Sequence, residues 1–195
     1  LLSYVGSGQA ALTEAERTQR SVIPTGCVWL EDSAVAIDPV NRLVRCASGA
    51  EYGYRDLVLG QGLVVDTDAL PGVRAALRSP TVTSNYLDRA ERTWQLVRDL
   101  PAHSSAVFTV PRPPVGCTGT TLKPLFLAAD HWTRTGRMPG IDITLVVDRP
   151  RLMGVPELDA IVVGRLRELG VRILARTAVT ALHPESGHIT VTDHD

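Results

Sequence analysis

Lysine is almost absent from these 195 residues: Lys123 is the only one, and the rest of the 20 basic residues are arginine. Excess charge is absent too, with a net charge of −1 and a pI near 6.6. That balance gives no electrostatic case for nucleic acid, because phosphate binding needs a basic surface. No apolar run approaches the roughly 20 residues that a membrane-spanning helix requires. Cysteine is scarce: Cys27, Cys46 and Cys117 are odd in number and have no metal-like spacing. Neither a disulfide framework nor a zinc site is expected from them. The apolar start at Leu1 and Leu2 has no basic flank, so a secretory leader is not expected. The chain opens without Met and stops at Asp195 inside an expected hairpin, so both ends are read as cut from something longer.

What is present changes character along the chain. Residues 21–56 alternate short β-type runs with turns. The runs are 27–30, 33–37, 43–46 and 51–54, and the turns are Asp38-Pro39-Val40-Asn41 and Ser48-Gly49. A buried strand is expected at Leu57-Val58-Leu59, ending in Gly60-Gln61-Gly62. Ser84 is the expected cap of a helix over 87–99. After Pro101 the pattern becomes βαβαβ, with strands at 106–110, 141–147 and 171–175 and helices at 122–134 and 157–169. Strands alternating with helices predict a parallel sheet covered on both faces. A hairpin of 178–182 and 188–192 follows, turning at Ser186-Gly187.

Two glycine or cysteine turns compete as the chemical site. Gly6-Ser7-Gly8-Gln9-Ala10-Ala11 matches the dinucleotide pattern G-x-G-x-x-A after an expected apolar strand. The polar segment 12–20 behind it offers no apolar stripe to pack on a sheet, so the match is set aside. The second turn, Pro111 to Lys123, joins the 106–110 strand to the next helix. Prolines would obstruct a phosphate cradle there, because they donate no backbone N–H. Cys117 stands at the helix start, where the dipole and free N–H groups favour thiolate over thiol. The bland alternative is a buried structural cysteine. Lys123 either sits where a compact ammonium is needed or falls by chance on a solvated turn. Cys27 and Cys46 read as core or sheet residues, the tryptophans as packing, and His131 as a helix-face residue.

Four segments in order then resemble the sulfide:quinone oxidoreductases, flavoproteins with two dinucleotide-type domains. They are 1–8 with 21–29; Ile37-Asp38-Pro39 with 54–62; Ser84-Asn85-Tyr86 with Arg92-Thr93-Trp94; and 108–111 through Pro114-Val115-Gly116-Cys117-Thr118-Gly119 to Lys123. The resemblance implies an α/β fold, an incomplete two-dinucleotide-binding-domain flavoprotein with a β-meander plus a parallel βαβ sheet. Residues 1–80 would be the remainder of the FAD-binding domain without its first βαβ unit. Residues 81–195 would be the second, NADH-type domain. It further implies an FAD enzyme that oxidises sulfide and passes electrons to a quinone.

Cys117 would match the family's redox cysteine, forming a disulfide or persulfide with sulfide sulfur. Gly60, Gln61 and Gly62 would lie against FAD, Ala34 where a backbone amide meets the adenine, Pro114 at the flavin wall, and Lys123 beside the cofactor. The chain departs from the family at Gly116, where a lysine is usual, and at Thr120-Thr121-Leu122 in place of Ala-Pro-Gln. The first ADP-binding unit, the partner cysteine and the membrane-reaching helices would lie outside the chain. The isolated segment is therefore expected to be soluble and inactive. Its parent would sit on the cytoplasmic side as a peripheral membrane protein, with homo-oligomers left open. The alternatives are a related flavoprotein, such as a sulfide dehydrogenase flavin subunit or an NADH dehydrogenase-like enzyme, and a non-catalytic remnant of the fold.

Overall fold

The structure, a computed structural model, describes residues 1–62, 64–84, 89–112 and 117–194. Packing divides the chain into two units, Arg17–Val65 and the pair Leu1–Glu16 with Asp66–Asp195. Within the second of these units the N-terminal helix α1 (Leu2–Val5), which α2 (Leu12–Ala15) follows, packs on α4 (Ala90–Asp99).

The Arg17–Val65 unit is an antiparallel meander of β1 (Ala34–Asp38), β2 (Leu43–Cys46) and β3 (Glu51–Gly53), in that order. Asp38 makes the first turn. Its Oδ1 accepts the N–H groups of Val40 and Asn41 at 3.0 and 2.9 Å, and its Oδ2 accepts Asn41 Nδ2 at 2.7 Å. An aspartate that closes its own turn this way needs no tertiary help. Two expectations fail in this unit. Residues 27–30 form no strand, and Cys27 is exposed rather than packed. Leu57-Val58-Leu59 is not buried: Val58 is 91% exposed, and the segment lies in no ladder. An apolar triplet specifies burial only where a partner surface meets it.

The other unit holds the parallel sheet, ordered β4 (Ser104–Val110), β5 (Ile141–Val147) and β6 (Arg172–Ala175). Ser104 pairs with Ile141 and Val110 with Val147; Thr144 pairs with Arg172 and Val147 with Ala175. The crossovers are α5 (Thr118–Arg134) and α6 (Pro156–Glu168). Both begin earlier than the apolar period suggested, because the first turn of a helix is set by caps and Pro156 rather than by apolar spacing. The central strand β5 is buried on both faces, but β4 exposes Ser105, Val107 and Thr109, so coverage of both faces fails at this edge of the sheet. In α5, Leu122, Leu125, Ala128, Ala129 and Trp132 fall on one face and meet Ile141, Ile143, Leu145 and Val147 in the core. Trp132 donates its indole N–H to the Val97 carbonyl at 2.9 Å, which satisfies the one polar atom of that buried ring.

Helix α4 starts at Ala90 with Arg89, not Ser84, at its cap; the expected start at Leu87 lies outside the described residues, as do Asn85 and Tyr86. The hairpin of β7 (Thr177–His183) and β8 (His188–Asp193) forms as expected. It docks on α3 (Val73–Ala76) through Leu182 N–H to the Pro71 carbonyl at 2.9 Å. Gly72 is required there: its φ is +86°, and a Cβ would overlap the Leu182 carbonyl.

The candidate cysteine site

Cys117 is the N-cap residue of α5, in extended conformation, and it is exposed. Its carbonyl accepts the N–H groups of Thr120 and Thr121 at 3.1 and 3.3 Å, so the helix begins at its peptide. The Thr120 hydroxyl holds the Cys117 thiol below its ordinary range, followed by the amides of Thr120 and Gly119, with the positive charge of Lys123 as the weakest cause. The direction agrees with the helix-start argument. The leading cause does not come from the helix itself but from a hydroxyl at the third helical position, where this chain departs from its resemblance. A Cβ at Gly119 would stand 3.8 Å from Cys117 Sγ and 4.0 Å from Met153 Cε, so the bare backbone of Gly119 faces both side chains.

Polar groups from the carboxyl ends of the strands gather around this turn. Arg149 donates from Nη1 to Thr118 Oγ1 and from Nη2 to the Pro111 carbonyl, both at 3.0 Å. Arg112 donates from Nε to Asp148 Oδ2 at 2.8 Å and from Nη2 to Oδ1 at 3.2 Å, with His194 Nε2 at 3.0 Å from the same Nη2. Asp159 Oδ1 accepts the Met153 N–H at 2.6 Å. Among the described residues, Arg149 Nε and Asp159 Oδ2 are the buried side-chain atoms without a partner. No described group of acidic, histidine and cysteine residues could hold a metal ion. The carboxyl end of a parallel sheet is where open α/β folds place ligands.

The other expected site residues are scattered. Lys123 is exposed on α5, six residues past Cys117 and about 9 Å along the helix axis. Ala34 opens β1, and Gly60, Gln61 and Gly62 are exposed outside any strand; all four belong to the Arg17–Val65 unit. Pro114 lies outside the described residues. An open depression of about 590 Å³ lined by Val5, Gly8, Trp94 and Arg98 contains none of these residues. Thr118, Thr120, Arg149 and Met153 were not anticipated. Thr120 carries a local signal, a hydroxyl three residues after a helix cap, whereas Arg149 is 32 residues from Cys117 and carries none.

No family model matches the chain. It is 28% identical over 184 residues to the mitochondrial sulfide:quinone oxidoreductase of mouse, covering 94% of this chain and 41% of the relative. This chain is a partial match to the sulfide:quinone oxidoreductases. It spans about two fifths of the mouse relative's length. Two solved structures share the fold. The sulfide:quinone oxidoreductase of Aquifex aeolicus has a TM-score of 0.68 at 18% identity, covering 98% of this chain and 46% of that one. A chain of the Tetrahymena thermophila mitochondrial ATP synthase has a TM-score of 0.73 at 18% identity, covering 100% and 52%. The architecture is thus a partial Rossmann-like α/β fold with a meander and a parallel sheet, shared with these structures.

The two glycine turns differ in the space they leave above the backbone. Gly60 and Gly62 have no atom within 4 Å of where a Cβ would stand, which leaves bare backbone open to a flat ring. Gly8 is already filled, because a Cβ there would overlap the indole of Trp94. Leu2–Val5 is a helix, not the strand expected before that turn. The spacing of Gly6 and Gly8 here serves packing on α4. No described helix is long and apolar enough to cross a membrane.

Proposed function

We propose that this chain is the central part of an FAD-dependent sulfide:quinone oxidoreductase, with Cys117 as its sulfur-handling residue. The observation that carries the reading is an exposed cysteine at a helix start, its thiol pulled toward the thiolate by the Thr120 hydroxyl and neighbouring amides. Likeness to sulfide:quinone oxidoreductases over most of the chain supports the same reading. A thiolate is the form that reacts with sulfur. Cys117 thiolate and hydrosulfide would join in one S–S bond, releasing one proton to water and one electron pair. FAD, when bound, supplies the acceptor for that pair on its way to the quinone. Gly60, Gln61, Gly62 and Ala34 would hold the cofactor, Pro114 would shape its wall, and Lys123 would add positive charge beside it. Residues 1–80 would belong to the FAD-binding domain and 81–195 to the second domain. Contact with a quinone-bearing membrane would be made by segments that the longer relatives carry beyond this chain.

The test uses the chain supplied with those flanking segments. Cys117→Ser should abolish sulfide-dependent quinone reduction while flavin stays bound, because a serine hydroxyl forms no persulfide. Sustained turnover in that variant sinks the reading. The alternative reading is a fold kept without its cofactor. It predicts that the chain alone takes up no flavin and that added flanking segments do not change this. Purification of the extended protein with stoichiometric flavin rules that second reading out.

A further inference from the structure

The geometry points to Arg149 as the positioning residue for Cys117, its guanidinium tying the first turn of α5 to the end of β4. The inference rests on the reading of Cys117 as the working sulfur. Arg149 stands two residues past β5. Pro111 is the first residue after β4, and Thr118 is the first residue of α5. One planar side chain therefore bonds to both described ends of the strand-to-helix connection, at 3.0 Å each.

The backbone beneath it is fixed. The Arg149 carbonyl accepts the Arg176 N–H at 3.1 Å, and the neighbouring Asp148 N–H donates to Val110 at 3.0 Å. Arg112, next to Pro111, is held to Asp148 by two bonds of its own. The hydroxyl of Thr118 is thus anchored to the sheet rather than only to its own helix. Thr118 is the residue after Cys117, and the amides that favour the thiolate belong to the next two. The first turn of a helix frays unless something holds it. Fraying here would carry the Gly119 and Thr120 donors away from the sulfur. A guanidinium suits the task because its fork reaches two acceptors at once, whereas an ammonium is a single point. The side chain keeps this pose although its Nε is buried without a partner.

The experiment uses the chain carrying Cys27→Ser and Cys46→Ser, so that iodoacetamide reports on Cys117 alone. Its rate is followed against pH. Arg149→Met keeps the aliphatic stem and removes both bonds. It should move the midpoint up by about half a pH unit, an approximately threefold loss of rate at neutral pH. Thr118→Val should do the same, and the double variant should add nothing further. Arg149→Lys should not restore the wild-type profile. A folded Arg149→Met chain with an unmoved midpoint overturns the proposal, even if its melting temperature falls, and so does an additive double variant. Should Arg149→Met fail to fold, Thr118→Val decides, with an unmoved midpoint again overturning it. The sulfide reading is tested separately by turnover of Cys117→Ser, so either can fail without the other.

Discussion

Every described buried hydrophobic residue except Cys46 lies in the unit that contains the parallel sheet. The meander of Arg17–Val65 leaves Val35 64% and Ile37 41% exposed on its first strand. Yet its turns are closed by short local bonds, Asp38 to Asn41 at 2.9 Å and Arg45 to Glu51 at 2.7 Å. One unit is held by a core drawn from residues far apart in sequence; the other is held by neighbours along the chain. The difference teaches where chemistry can be positioned. The cysteine turn leaves the well-packed sheet, and Arg149, just past β5, ties Pro111 at the end of β4 to Thr118 at the start of α5, whereas Gly60, Gln61 and Gly62 stand on open backbone.

The contrast can be broken by substitution. Leu145→Ala, at a residue 1% exposed in the core, should cost about 2–5 kcal/mol in a urea melt. Val35→Ala should stay within about 0.5 kcal/mol. Equal losses at the two positions would mean that the units are not held differently. The cysteines sharpen the same point. Alkylation at neutral pH should be fastest at Cys117, and at Cys46 about tenfold slower or more, because burial and the charge of Asp32 push its thiol up. Rates for each single-cysteine chain check this, and a Cys117 no faster than Cys46 would remove the case for its reactivity.

Two smaller effects depend on pH. Burial, followed by the charges of Arg137 and Arg134, holds His131 below its ordinary pKa, and Arg137 Nη2 lies 2.8 Å from its Nε2. The group is therefore stabilising while neutral, fully above the unfolded value of about 6.5, and its contribution is lost as pH falls toward the folded value. Melting temperature should drop from pH 7.5 to 5.5, and less so in His131→Gln; equal drops would clear His131 of the effect. In the meander, bonds from Asn41 hold the Asp38 carboxyl below the usual range. That contribution is present above about pH 3.9 and is lost on further acidification. Asp38→Ala should speed amide exchange at Val40 and Asn41 while leaving β5 unchanged. Unaltered exchange at the turn would show that Asp38 does not hold it.

Much of the parallel unit was legible because its signals are periodic. Ile141–Val147 reads as a β-branched, largely apolar strand interrupted by Asp142 and Thr144, and Leu122, Leu125, Ala129 and Trp132 repeat at helical spacing. The turn at Asp38 and the hairpin at Ser186-Gly187 carried local chemistry that needs no distant partner. The failures have the opposite character. Leu57-Val58-Leu59 was assigned by apolarity alone, and Leu2–Val5 by its place before a glycine pattern. Neither segment is long enough for a period to show. At the site, Cys117 and its helix start were legible. The order of causes acting on the sulfur was not, because it depends on which way the Thr120 hydroxyl points.

The sequence by itself determined the alternation of strands and helices after Pro101, the local turns of the meander, and a cysteine at a helix start. Each rests on residues within a few positions of one another, where period, turn chemistry and capping act directly. Only the tertiary structure decided that Gly8 is filled by Trp94, that Val58 stays exposed, and that Arg149 reaches Thr118 and Pro111. Those outcomes depend on which surfaces meet after the chain folds, and the 31-residue separation of Thr118 and Arg149 is closed by the β4–β5 pairing of the sheet.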